Sequence, residues 1–190
     1  MLEGSTRNRL RASTRSGHEA AEASLALAGE LQVEDLRRVL SAFVRVFAPV
    51  ERVLAAWEPT CPGAWVVERR SGLAERDLVA LGATPPVGAG AAWAVMAPAE
   101  GPDGRATALG LAYVLEGSRL GGDRIARRFA TDQPDAPSTA YFAAVDAPRW
   151  AAFTEALDAA GLDDAGVSRA VAAAGSVFAE FVGGPLVAHV

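Results

Sequence analysis

The stretch Ala108-Leu109-Gly110-Leu111-Ala112-Tyr113-Val114-Leu115-Glu116-Gly117-Ser118-Arg119-Leu120-Gly121-Gly122 poses the fold question for this 190-residue chain. It is the middle of an apolar run from Ala106 to Thr131, rich in the strong helix formers alanine and leucine. Gly110, Gly117, Gly121 and Gly122 interrupt it. Each glycine costs about 1 kcal/mol relative to alanine inside a helix, so three between 117 and 122 weaken it by about 3 kcal/mol unless something offsets them. Two offsets are open. One is a kink or a close helix crossing, where missing side chains let backbones approach. The other is a flat ligand lying directly against bare backbone.

On either side the periodicity is helical. Ser5 or Thr6 caps a first helix to about Ala28, with Leu10, Thr14, Gly17, Ala21 and Leu25 on one face, and Gly29 ends it. A second helix starts near Val33-Glu34-Asp35 and carries Leu36, Leu40, Phe43, Phe47, Val50 and Leu54, with a kink or break expected at Pro49. Residues 64–83 read as a shorter helix or helix pair. Ala83–Gly90 and Pro98–Gly104 read as loops, and Trp93–Met96 as a helical turn. After a linker at 132–139, Pro148 opens a helix over about 149–160. Asp163 or Asp164 caps a last one to about Phe181. No alternating strand pattern and no repeat is visible. The expected fold is all-α: one multi-helix domain over residues 1–190.

Charge and composition exclude several classes. A net charge of −5 argues against nucleic-acid binding. All 18 basic residues are arginine, and two groups stand out: Arg7, Arg9, Arg11 and Arg15, then Arg119, Arg124, Arg127 and Arg128. Each is either a solvated face or a local anion site. Cys61 is alone, so no disulfide framework or thiolate cluster is expected. The start lacks a signal-peptide pattern, and no stretch approaches the roughly 20 apolar residues that span a bilayer. A cytoplasmic protein with no membrane contact is the expectation.

Of the two histidines, His189 is penultimate, whereas His18 falls on the stripe of the first helix assigned to the core. A buried histidine satisfied by a neighbour is the plain reading. Glu22, one turn on, changes the balance, because a carboxylate there can orient the imidazole as metal-ligating histidines commonly require. One imidazole cannot build a zinc or non-haem iron site, but it can serve as the axial ligand of a haem.

At this point the residues resemble a known family, the bacterial haem oxygenases, including those associated with phytochrome photoreceptors. The likeness is carried by Leu10–Thr14 leading to His18-Glu19, by Phe47-Ala48-Pro49-Val50-Glu51, and most specifically by Ala108–Gly122. Tyr141-Phe142 followed by Trp150 and Phe153 adds weaker support. The resemblance implies His18 as the iron ligand, Glu22 as its partner, and Gly117 and Gly121 on the distal helix over the haem. Ser118 is included among the catalytic positions, and Tyr113 and Gly122 among those lining the site. Arg11 matches a position near a haem propionate. With no lysine present, the second propionate anchor falls to Arg149 or one of Arg119, Arg124, Arg127 and Arg128.

The resemblance further implies oxidative cleavage of haem to biliverdin, carbon monoxide and iron, with haem as both substrate and cofactor. No flavin or nicotinamide fingerprint appears, so an external electron donor such as a ferredoxin or flavin reductase is implied, with bilin supply to a phytochrome as one destination. Two departures stand beside this. Ser118 replaces the carboxylate that mammalian relatives carry, and Tyr141-Phe142-Ala143-Ala144-Val145 replaces a glycine-tyrosine-glycine segment common in relatives. A haem or bilin carrier, or a sensor, on the same fold is the alternative from another class.

Overall fold

The computed structural model describes residues 5–27, 29–57, 65–86, 102–137, 139–143 and 147–183. Among them every regular element is a helix: α1 (Thr6–Ser24), α2 (Val33–Trp57), α3 (Ser71–Ala80), α4 (Pro102–Asp132), α5 (Ala140–Ala143), α6 (Ala147–Ala159) and α7 (Asp164–Gly183). Cys61, Trp93–Met96 and His189 lie outside the described residues.

Helix α1 is capped by Ser5, whose side chain accepts the Asn8 amide. It ends at Ser24 rather than near Ala28. The chain turns early because Ala26 takes a left-handed conformation at φ 48°, three residues before Gly29 at φ 72°. The carbonyls freed there are taken from a distance, Leu25 by Arg38 (2.5 Å) and Leu27 by Arg128 (2.6 Å). Helix α2 runs unbroken through Pro49, so the expected break does not occur. Its buried stripe of Leu36, Leu40, Phe43, Phe47, Val50 and Leu54 holds the helix against the core on both sides of the proline.

The 64–83 region holds one helix, α3, the first of the two expected readings, and residues 65–70 before it are non-helical. A buried carboxylate defines that boundary. Glu51 of α2 accepts the backbone amides of Arg70 (2.8 Å) and Ser71 (3.1 Å) and the Ser71 hydroxyl (2.6 Å), capping α3 from outside. Similarly, α4 begins at Pro102, inside the expected loop, with proline in the first turn and Asp103 beside it. Asp163 accepts the Gly166 amide (2.7 Å) at the start of α7.

Helix α7 is the central strut. It is long and apolar enough, by length and composition, to cross a membrane, which corrects the expectation that no stretch is. Here its apolar side is used inside the fold: Ala170, Ala174 and Val177 are fully buried, and Phe178 and Phe181 nearly so. Helix α4 crosses it at Gly110, where a Cβ would lie 2.9 Å from Ala170 Cα. Helix α1 lies along it at Gly17, 3.3 Å in the same sense from Phe178 Cβ. Phe43, Phe47, Tyr141, Phe142 and Phe181 then form an edge-to-face aromatic cluster joining α2, α5 and α7.

Candidate functional site

Helix α4 approaches α1 near Tyr113 and the segment after α1 near Arg128. At one end Tyr113 of α4 is near Thr14 of α1, whose hydroxyl donates to the Leu10 carbonyl (2.8 Å). At the other end Arg128 donates to the Leu27 carbonyl, and Asp132 accepts the Leu31 amide (2.8 Å). Thirteen residues of chain on one side and fifteen on the other separate these contacts, about 20 Å at 1.5 Å per helical residue. The parts of α1 and α4 between these contacts carry the candidate cleft.

His18 and Glu22 follow Thr14 at steps of four on α1, while Gly117 and Gly121 follow Tyr113 at steps of four on α4. Four-residue steps keep side chains near one face, which makes the imidazole and the bare glycine backbone the candidate walls of the cleft. His18 is not in the core, as the stripe assignment had it. Its side chain is 56% exposed, because the buried stripe is Thr6, Leu10, Thr14 and Ala21 and His18 sits one step outside it. Its ring stands edge-on to Phe178 at 5.7 Å. Nδ1 faces Glu22 Oε2 at 3.7 Å, close enough for an ion pair but long for a hydrogen bond.

The glycines separate into three kinds. Gly110 is the close helix crossing, and Gly122 packs into the core with Phe142 Cδ1 only 3.0 Å from where a Cβ would stand. Gly122 therefore faces away from the cleft, contrary to its expected place in the lining. Gly121 has nothing within 4 Å of that position, and Gly117 meets only the far edge of the Trp150 ring at 3.7 Å. Ser118 is turned back onto its own helix, donating to the Leu115 carbonyl (2.7 Å). The close crossing left open by the sequence operates at Gly110, while Gly121 has open space at its Cβ position and Gly117 has only a ring edge.

The Tyr113 end is cationic and aromatic. Trp150 of α6 lies 5.9 Å from the Tyr113 ring, and the Arg7 guanidinium stands over Trp150 at 6.0 Å. Burial pushes the Tyr113 phenol above its ordinary pKa, and Thr14, Arg11 and Arg7 oppose this without cancelling it. The phenol thus keeps its proton at neutral pH. Arg7 and Trp150 were not singled out as site residues. The signal for Arg7 was present in the first arginine cluster, whereas Trp150 needed the tertiary contact with Gly117.

Behind α4 lies a buried ion cluster that sequence reading did not find. Glu116 is 1% exposed. It accepts from Arg149 Nε (2.9 Å) and Nη2 (2.7 Å) and from Trp65 Nε1 (3.2 Å), and Arg119 Nε lies 3.3 Å away. Arg119 also reaches Glu68. Two of the candidate propionate anchors, Arg149 and Arg119, are thereby engaged by carboxylates of this chain. Arg124, Arg127 and Arg128 line a groove with Leu120 and Thr131 further along α4, Arg127 pairing with Asp123. Among the described residues no group of three or more His, Cys, Asp or Glu side chains could hold a metal ion, so a cleft iron would rest on the single imidazole.

The described residues define an all-helical domain with an exposed histidine on α1 and open glycine backbone on α4. Comparison with known proteins narrows it. Residues 95–183 match the family model described as heme oxygenase. The chain is 34% identical over 157 residues to a heme oxygenase of Xanthomonas campestris pv. campestris, covering 80% of this chain and 90% of that protein. Its fold is similar to the crystal structure of the heme oxygenase from Neisseria meningitidis, with a TM-score of 0.71 and 22% identity, over 93% of this chain and 88% of that one. The chain belongs to the haem oxygenase family, and it is an enzyme of that bacterial family. The non-catalytic carrier reading is not favoured by these relatives.

Proposed function

We propose that the cleft between α1 and α4 is where haem binds and is opened, with His18 as the axial ligand. The observation that supports the reading is the exposed His18 imidazole on α1 together with the open backbone at Gly117 and Gly121 on α4. The residues fit a flat iron macrocycle. Nδ1 of His18 lies on the Glu22 side, which leaves Nε2 to project outward as the ligating nitrogen, and Glu22 favours the tautomer with the proton on Nδ1. Bound haem supplies the iron at which dioxygen is activated and is itself the ring that is cleaved.

The remaining roles belong to the chain. Gly117 and Gly121 let the α4 backbone approach closely without side chains, which limits how a small molecule on the far side of the ring can lean. Trp150, Tyr113 and Phe178 exclude water from the Tyr113 end and from beneath His18. Arg11 and Arg7, both acting on Tyr113, place two guanidiniums at that end, a match for two propionate carboxylates. That assignment takes the second anchor away from Arg149 and Arg119. Ser118 has its proton committed to Leu115, so its part is to accept a hydrogen bond, not to donate one.

The proposal includes an external reductant, a ferredoxin or a flavin reductase, and a cytoplasmic location. Delivery of bilin to a phytochrome is a further step of the same reading, and residues 1–190 are taken as one functional unit. The test is direct. Purified protein is titrated with haem and then given oxygen and ascorbate. Stoichiometric binding with an axial-imidazole spectrum followed by biliverdin release is expected. Binding without any bilin would overturn the catalytic reading in favour of a carrier.

A further inference from the structure

We propose that Glu116 is a positioning residue for the distal glycines, holding the α4 backbone at a set height over the cleft. The proposal rests on the haem oxygenase reading of that cleft. Glu116 is the only acidic residue between Ala106 and Leu120, and it immediately precedes Gly117. A lone carboxylate within an apolar run costs free energy unless it is paired and hydrogen-bonded. Here three parts of the fold converge on it. Arg149 comes from the start of α6, Trp65 from the segment before α3, and Arg119 from the next turn of α4.

Arg149 does more than neutralise the charge. Its Nη2 also donates to the Val66 carbonyl (2.6 Å), so one guanidinium ties α4, α6 and the 65–70 segment together. The next residue along α6, Trp150, is the one whose ring stands 3.7 Å from the Cβ position of Gly117. Consecutive residues of α6 therefore meet consecutive residues of α4: Arg149 meets Glu116 behind the helix, and Trp150 meets Gly117 at the cleft. Glycine contributes no side chain with which to locate itself. The position of the Gly117–Gly121 backbone is set by its neighbours, and the Glu116 carboxylate is the one with directional bonds to two other elements.

The experiment compares wild type, Glu116→Gln and Trp65→Phe as haem complexes, with helical circular dichroism as the check on folding. Haem affinity and the axial-imidazole spectrum report the His18 wall, and azide affinity of the ferric complex reports the space under the glycines. In Glu116→Gln, azide affinity is expected to change by about threefold to thirtyfold, the usual span of coupling through a packed network. Haem affinity should stay within about threefold, and the ratio of biliverdin isomers in ascorbate-driven turnover should shift. Trp65→Phe removes one donor, leaves the ion pair, and should move azide affinity in the same sense by less. A folded Glu116→Gln protein with unchanged azide affinity and isomer ratio overturns the proposal. If Glu116→Gln does not fold, unchanged azide affinity in Trp65→Phe overturns it instead. Failure of the wild type to bind haem would sink the cleft reading itself, a separate outcome.

Discussion

Gly110 of α4 and Ala170 of α7 meet backbone to backbone: a Cβ on Gly110 would overlap the Ala170 carbonyl oxygen and lie 2.8 Å from its carbonyl carbon. No flexible side chain can yield there, so any added atom must push the two helices apart through a close-packed core. Gly110→Ala is therefore expected to destabilise by about 2–3 kcal/mol, despite the better helix propensity of alanine. Gly121→Ala, with nothing near its Cβ position, is expected to stabilise by up to about 1 kcal/mol. Denaturant unfolding of the two variants checks the order; equal midpoints would mean that the crossing is looser than described.

His18 can be removed at little structural cost. Its side chain is 56% exposed and its nearest ring contact is edge-on to Phe178. His18→Ala is expected to change unfolding free energy by no more than about 0.5 kcal/mol. The same variant should lose the axial-imidazole spectrum of the haem complex, and added free imidazole should restore it. A spectrum unchanged by the substitution would remove His18 from the iron.

The contrast between those two positions shows what the sequence carried and what it did not. Helix periodicity placed α2, α6 and α7 close to their observed bounds, because apolar spacing is a local record of burial. It could not tell that α2 would run through Pro49, since the packing of Phe47, Val50 and Leu54 compensates for the missing amide. Nor could it separate Gly110, Gly117 and Gly122, which look alike in the chain and face α7, the cleft and Phe142 respectively. His18 was legible as a ligand candidate through Glu22, although it stands outside the stripe that suggested it. The Glu116–Arg149 pair and the contact of Trp150 with Gly117 were not legible, because the partners lie 33 residues apart in sequence.

Stability should fall on the acid side for an identifiable reason. The Gln32 amide, then Arg38, hold the Asp35 carboxyl below its ordinary value of 3.8. Partial burial pushes Glu68 upward, but Arg119, Arg149 and Arg70 outweigh it and leave the group below its ordinary 4.5. A carboxyl whose folded pKa lies below its unfolded one stabilises fully above the unfolded value and loses that contribution as pH falls through the folded one. The thermal midpoint is expected to be flat from neutral pH to about 5 and to drop below about 4. Glu68→Gln should lessen the drop. An acid limb that Glu68→Gln and Asp35→Asn together leave unaltered would assign it to other carboxylates.

The short helix α5 supplies the last expectation, since four residues have no helical stability of their own. Its start is held by Asp77 of α3, 6% exposed, whose carboxylate accepts the amides of Ala140 (3.1 Å) and Tyr141 (2.8 Å). Arg70 closes the turn from the other side, reaching the Tyr141 carbonyl and standing over its ring at 5.2 Å. Asp77→Ala leaves one buried and one partly buried amide without an acceptor and is expected to cost about 1–3 kcal/mol. Asp77→Asn retains one acceptor oxygen and should recover about half of that. The effect should reach α4, because Phe142 of this turn is the side chain packed on Gly122. Amide exchange is therefore expected to speed up at 139–143 and at 121–123 together in Asp77→Ala. Exchange that quickens at 139–143 alone would show that the distal helix holds its place without the Phe142 contact.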